Sequence, residues 1–460
     1  VCPRNAASGV VGHRDPASTE RCGRHDMHGR HALWRRRLRF GFGSPKAPRV
    51  PPRGNPARAV PYFAVALALL GPVALSHAAV YHVDISSPSC SNTGPGTEAQ
   101  PYCNIASAAA AHSGPGVTIY VRPGVYREQV TVPGSGAAGN PFVFQALGGP
   151  VLVDGSDDVS SPAQWIHASG NVYLAATVTW SPQQVFMDGA RLAPAVVAPE
   201  SLLAGSFSWV SGVGLYVNLG GGSPGNHELL VGRRSYGFYL PARSWITIDG
   251  FRVVHTESRG IFLNNGCADI TVSRDTVSFA NSYGIQATNG ARIVIEECRS
   301  SDNNLHGIGL TNGSTACTVR SNESFRNADP VLRRANGIYL NAAPANILTG
   351  NRVHDNQDSG LQFVAGANNC IANNNRSWNN GDHGFDHLNA SGTIHIHDTA
   401  FGNYKDGFSI EGNSSGCSLY DCIAANNGLT TNEYDLWVDA ASSVGLVSDY
   451  NIFWNATSQN

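Results

Sequence analysis

Residues 356–411 read NQDSGLQFVAGANNCIANNNRSWNNGDHGFDHLNASGTIHIHDTAFGNYKDGFSIE, and one pattern recurs in them three times. Gly360, Gly384 and Gly407 each open a short apolar triplet, and Asp358, Asp382 and Lys405 each stand two residues earlier. Followed backwards, the beat continues through Gly337, Gly307, Gly284 and Gly260, with intervals from Gly260 of 24, 23, 30, 23, 24 and 23. A second β-prone run follows six of the seven glycines at roughly ten residues (ITV, IVI, TVR, ILT, IHI, SLY), and Asn-rich corners follow such runs. Asn accepts the left-handed backbone of a sharp corner and can form side-chain ladders between stacked units. A unit of this length built from short strands predicts an all-β fold, a right-handed parallel β-helix of about 23 residues per turn. The Leu/Asn spacing of a leucine-rich horseshoe is missing, and a propeller blade needs roughly 40 residues.

Composition points the same way. Charged residues make up 14% of the chain and glycine numbers 51, which suits β-structure with tight corners. The formal net charge of −2 leaves no global basic field for nucleic acid.

Working outward, residues 244–460 hold the regular repeats, and 156–243 break the rhythm as an irregular β insertion containing Trp165, Trp180 and Trp209. Residues 79–155 are expected to form the first turns, with a short capping helix from Ile105 to His112 that hides unpaired strand edges. The apolar stretch Val60–Leu75 lies between Arg58 and the small-x-small pattern Ser76-His77-Ala78, so 58–78 reads as a signal peptide or, alternatively, a membrane anchor. Residues 1–57 are Arg- and Pro-rich, and they read as disordered or as an upstream start-site artefact. A secreted or periplasmic chain without a mature membrane span follows from the signal reading, with Cys90 and Cys103 as a candidate disulfide. Cys317, Cys370 and Cys417 share one phase of the beat, as buried thiols would.

Equivalent positions in successive turns lie one strand spacing apart, about 4.8 Å. Asp358, Asp382 and Lys405 therefore stack in one column, and two residues past the glycine a second column reads Tyr339, Gln362, Asp386 and Ser409. Adjacent carboxylates raise each other's pKa unless a cation lies between them. Asp358, Asp382 and Asp386, with carbonyls and water, would form an oxygen-rich cage suited to calcium. Taken singly these are ordinary corner residues, and Lys405 beside Asp382 is a screened ion pair. Four in register favour a site, the more so beside His354, His383, His387, His395 and His397. His395 and His397 alternate along a strand and are expected on one face, either exposed or as part of a His–carboxylate metal site. The interval from Gly307 to Gly337 carries about seven extra residues, ADPVLRR. That loop is either a neutral corner insertion or a groove wall where Arg333 and Arg334 offer guanidinium forks to carboxylates.

These motifs resemble polysaccharide lyase family nine, within the pectate-lyase-like superfamily of right-handed parallel β-helix proteins. The matching residues are Gln357-Asp358-Ser-Gly-Leu-Gln, Asn380-Gly-Asp382-His383-Gly-Phe-Asp386 and Phe408-Ser409-Ile-Glu-Gly. The family shows Asp-Thr-Gly-Leu-Gln, Asp-Asp-Gly-x-Asp and Gly-Phe-Lys-x-Gly-Gly at these places. The likeness spans about residues 80–455 for the fold and about 60 residues for the motifs. It implies calcium on Asp358, Asp382 and Asp386, and a base that removes the C5 proton of a uronate. His383 replaces the family's second motif acid, and Ser409 replaces its lysine. The base is then expected to be Lys405, or else His383 or His387, with Arg333, Arg334 and Ser409 contacting substrate. The expected activity is calcium-assisted β-elimination of a pectate-like acidic polysaccharide by a secreted, monomeric lyase. C5 epimerisation, hydrolysis by Asp382 and Asp386, and a non-catalytic carbohydrate-binding or surface-structural role are the alternatives.

Overall fold

Three- and four-residue strands between tight corners cannot pair within their own turn, so each finds its partner one turn away. In the computed structural model, which describes residues 79–430 and 432–456, these strands stack into three long parallel sheets of a right-handed β-helix. The ten-stranded glycine sheet carries the triplets that follow the beat, among them Ile338–Asn341, Leu361–Val364, Phe385–Leu388 and Phe408–Glu411. The second sheet, with twelve strands, carries the next run, including Ile371–Asn373, Ile394–Ile396 and Ser418–Tyr420. The third, with eleven strands, includes Arg352–His354, Arg376–Trp378 and Thr399–Phe401. Register is strict: Leu361 pairs with Phe385 and Phe385 with Phe408, so equivalent residues form straight columns.

The beat is glycine because of crowding. A Cβ on Gly360 would lie 2.0 Å from Ser377 Oγ on the third sheet and 2.8 Å from the carbonyl oxygen of Gly384 one turn on. Ser377 Oγ uses the space by donating to that Gly384 carbonyl at 2.8 Å. The asparagine corners stack as the sequence suggests. Asn303, Asn327, Asn356, Asn380, Asn403 and Asn427 pass Nδ2–H···Oδ1 bonds of 2.8 to 3.0 Å from turn to turn. A second ladder runs Asn322, Asn351, Asn375 and ends on Asp398.

The core is a continuous file of Ile, Leu, Val and Phe along the coil axis. The helix Ile105–Ala111 packs Ile105, Ala108 and Ala109 into its first turns. Glu128 holds the helix start by accepting the Ile105 and Ala106 amides at 2.8 Å each. Cys90 and Cys103 form a disulfide, and Cys267, Cys298, Cys317, Cys370, Cys417 and Cys422 are buried thiols.

Between Ser156 and Gly232 the chain leaves the coil and builds two small sheets, mostly antiparallel, with a separate core around Trp165, Phe207 and Leu215. The coil resumes at Tyr236–Pro241, which pairs with Arg259–Asn264, earlier than the expected boundary at Ser244. Among the described residues no helix is long and apolar enough to cross a membrane. The expected signal segment 58–78 and the stretch 1–57 lie outside the described residues.

Candidate active site

The column two residues before the beat glycine forms as expected. The Asp382 amide donates to the Asp358 carbonyl at 3.2 Å, and the Lys405 amide to the Asp382 carbonyl at 3.0 Å. Asp386 stands on the adjoining glycine-sheet column, between Gln362 and Ser409. Asp358, Asp382 and Asp386 are all buried.

The loop from Asp329 to Arg334 closes over this floor. Arg333 reaches two turns along the coil, where its Nη1 donates to the Gly381 carbonyl and to Asp382 Oδ1, both at 2.9 Å. Its Nε lies 3.8 Å from Asp358 Oδ1. Arg334 turns the other way and binds Asp329 Oδ2 at 2.6 Å, clipping the loop. The loop is therefore a groove wall, with Arg333 facing the acids and Arg334 serving the wall itself.

Lys405 Nζ lies 2.9 Å from Asp382 Oδ1, the oxygen Arg333 also contacts. Burial disfavours the charge of Lys405, but its hydrogen bond to Asp382 outweighs this and raises its pKa. For Asp382, burial is opposed by His383, Lys405 and Arg333, and the carboxyl is held below its ordinary value. One turn away, burial and the Asp382 charge push Asp358 up to about 7. The two stacked carboxyls are thus driven apart: Asp358 keeps a proton where Asp382 does not. Burial also pushes up Asp386, which accepts from Ser359 Oγ at 3.0 Å and Gln362 Nε2 at 2.7 Å.

His383 is wedged among acids. Its Nε2 is 3.8 Å from Asp382 Oδ2, and its Nδ1 lies 3.1 Å from the Asp406 amide and 3.2 Å from Asp406 Oδ2. A neutral ring accepts that amide at Nδ1, while a protonated ring donates to the carboxylate instead. Burial disfavours the charged form, but Asp406, Asp386 and Asp382 outweigh it and push the imidazole up to about 9. In either state Nδ1 is engaged by Asp406, and the raised pKa keeps the ring protonated and so not a base at neutral pH.

Two expectations about the histidines are corrected. His387 lies inside the coil, fully buried, its Nε2 3.1 Å from His395 Nε2 and its Nδ1 3.1 Å from the Ser409 carbonyl. Strand alternation turns it away from its neighbour Asp386, so it does not serve the groove as a base. His395 and His397 do not share a face: His395 is buried against Asp398 at 2.9 Å, whereas His397 sits at a corner with φ 55° and is exposed. That left-handed residue breaks the strand alternation. Ser409 follows Asp386 in register and is fully buried, and its Oγ has no hydrogen-bond partner among the described residues.

Sequence reasoning passed over Asp406 and Glu433. Asp406 continues a column one residue before each glycine (Tyr283, His306, Asn336, Ser359, His383, Asp406), and that column was readable from the beat. Glu433 lies in an irregular stretch with no register.

The donor set bears on calcium. Among the described residues, the compact candidate groups are Asp382–His383–Asp386 and His383–Asp406–Glu433, with ligand atoms within 4.8 Å of one another. Both include the His383 nitrogen, whereas calcium takes oxygen ligands. Asp382 Oδ1 already serves two cationic side chains. Asp358 belongs to neither compact group.

Comparison with known proteins agrees with the architecture. The family model of the right-handed beta helix region matches residues 214–375 and 333–453, together just over half of the chain. Among solved structures, XylC in complex with xylose superposes with a TM-score of 0.63 at 17% identity, covering 83% of this chain and 76% of that one. A glycoside hydrolase superposes with a TM-score of 0.63 at 12% identity, covering 81% and 96%. The pectate lyase Pel9A gives 0.48 at 18% identity, covering 84% and 79%. At these identities the likeness is one of fold. No curated protein matches the sequence.

Proposed function

The chain belongs to the right-handed β-helix family, and we propose that it uses this scaffold to cleave glycosidic bonds of an acidic, uronate-containing polysaccharide. The observation that carries the reading is the stacked pair Asp358 and Asp382, one turn apart, with one carboxyl driven up to about 7 and the other held low. Pairs of acids whose environments separate their pKa values divide the work of an acid and a base. Asp358, holding its proton, protonates the leaving glycosidic oxygen. Asp382, ionised, supports the positive charge that develops at the sugar, and Asp358, having given up its proton, takes one back from the water that then attacks. Arg333 and Lys405 add positive charge at the rim, which suits an acidic sugar. Asp386, fixed by Ser359 and Gln362, supports the floor.

β-Elimination of the same polymer is the second reading, with Lys405 taking the C5 proton and calcium on Asp358, Asp382 and Asp386. It is favoured by the crowd of buried acids, since burial also pushes up Glu411 and Glu433 beside the cluster. It is disfavoured by the proton that Asp382 holds on Lys405.

The test is turnover of polygalacturonate and polymannuronate, followed by the release of reducing ends, in the unaltered chain and in Asp382→Asn. Release that Asp382→Asn abolishes while the melting temperature stays unchanged supports the reading. Equal release by both proteins contradicts it.

A further inference from the structure

A cleft opens on the same corner of the coil, where the inserted sheets face it. A cavity of about 800 Å³ opens there between Trp209, Arg191 and Gln183 of the insertion and Asn281, Asn304 and Val331 of the coil. Arg191 is the one charged side chain among its lining residues. The guanidinium is half-buried, with Nε on Gln184 Oε1 at 2.9 Å and Nη2 on the Asp302 carbonyl at 3.2 Å. It forms no ion pair with any described carboxylate. The Asp302 carboxylate is nearby but is occupied by a bidentate contact from Arg326 at 2.8 Å per arm. Burial accordingly lowers the Arg191 pKa to about 10. A desolvated guanidinium held over the Phe186 and Phe279 rings, without an acid of its own, has a place for an anion. Trp209, pinned by its indole N–H to the Val178 carbonyl at 3.1 Å, adds a rigid aromatic wall.

The cavity and the carboxyl cluster share one corner of the coil, on adjoining columns. At that corner the amides of Asn304, Ala328, Gln357 and Gly381 donate to the carbonyls of Ala280, Asn303, Asn327 and Asn356, each one turn back. Three turns separate Asn304 from Gly381, about 14 Å at roughly 4.8 Å per turn. The loop after Ala328 lies between the two sites, with Pro330 and Val331 lining the cavity and Arg333 on Asp382.

We propose that this cleft is a second sugar-binding subsite, taking an acidic sugar with its carboxylate on Arg191 and its ring against Trp209, so that one polyuronate chain spans it and the Asp358–Asp382 floor. The cleavage reading above enters only in supplying the polymer; the subsite itself is read by binding.

The experiment is equilibrium binding of oligogalacturonate and oligomannuronate long enough to span three turns, with a neutral xylo-oligosaccharide of equal length, to full-length protein silenced by Asp382→Asn. Replacing a charge-assisted contact by Arg191→Gln is expected to weaken the acidic oligomers about tenfold or more, with the neutral one unaffected. Val331 is 83% exposed, so its substitution leaves the core alone. Val331→Asp is expected to weaken the acidic oligomers and Val331→Lys to tighten them. If Arg191→Gln fails to fold, the Val331 pair decides. Unchanged affinity in folded Arg191→Gln, or Val331 substitutions that move affinity in the same direction or not at all, overturns the subsite. Full turnover by Asp382→Asn would overturn the cleavage reading and leave this binding result standing on its own.

Discussion

Asp386 and His387 are neighbours on one strand, yet they belong to two different chemistries. Asp386 faces the groove with Asp358, Asp382, Lys405 and Arg333. His387 faces the axis of the coil and joins His395 and Asp398 in a buried chain of contacts that caps an asparagine ladder. Both regions pair imidazole with carboxyl groups, one histidine among several acids outside and two histidines with Asp398 inside. They differ in access: outside, acids crowd without enough partners, and their pKa values separate; inside, every ring nitrogen and the Asp398 carboxyl has a partner. A buried polar network with all members satisfied fixes structure, whereas a partly satisfied one at a surface is open to a ligand.

Substitution in each cluster in turn separates the two roles. The largest effect is expected from Asp382→Asn, a loss of about 10²- to 10⁴-fold in kcat without loss of melting temperature. A steady-state assay with a thermal melt reads both. His395→Leu is expected to do the reverse. It leaves the buried Asp398 carboxyl without its imidazole and costs roughly 3 kcal/mol of stability, with turnover per folded molecule retained. Chemical denaturation with activity measured at equal folded fraction checks it, and a selective loss of turnover would place the inner cluster in catalysis.

The pH profile sharpens the outer half. Asp358 is protonated below about 7 and loses its proton as the pH rises through that value. Activity is therefore expected to fall above pH 7, by about tenfold per unit once the proton is gone. The same raised pKa means that the folded state gains stability as the pH drops from about 7 towards the ordinary carboxylate range. A pH–rate profile whose alkaline limb lies well away from 7 would remove Asp358 as the acid. The smallest effect is expected from Lys405→Ala, less than about tenfold in kcat, because a partly exposed ion pair is worth little. A far larger loss would instead assign Lys405 as the base of an elimination.

Most of the fold was legible in the sequence, because the glycine beat records a packing limit repeated every turn: no Cβ fits between Ser377 and the Gly384 carbonyl at Gly360. The stacking of Asp358, Asp382 and Lys405 followed from the same count. Sidedness did not. His387 is next to Asp386 in the chain, which suggests a base for the groove, but strand alternation turns it inward. His397 was read as facing with His395 because nothing in HIHIHD announces the left-handed corner. The Arg191 cleft was out of reach because the insertion from Ser156 to Gly232 has no period to register it against the coil.

Product analysis separates hydrolysis from elimination. Polygalacturonate and polymannuronate are digested with the full chain in parallel, with chelator and with added calcium, and each digest is read for reducing ends and for the absorbance of unsaturated uronate. Hydrolysis by the Asp358–Asp382 pair is expected to give reducing ends without the unsaturated product, unaffected by chelator. Unsaturated product that appears only with calcium would contradict it and establish elimination in its place.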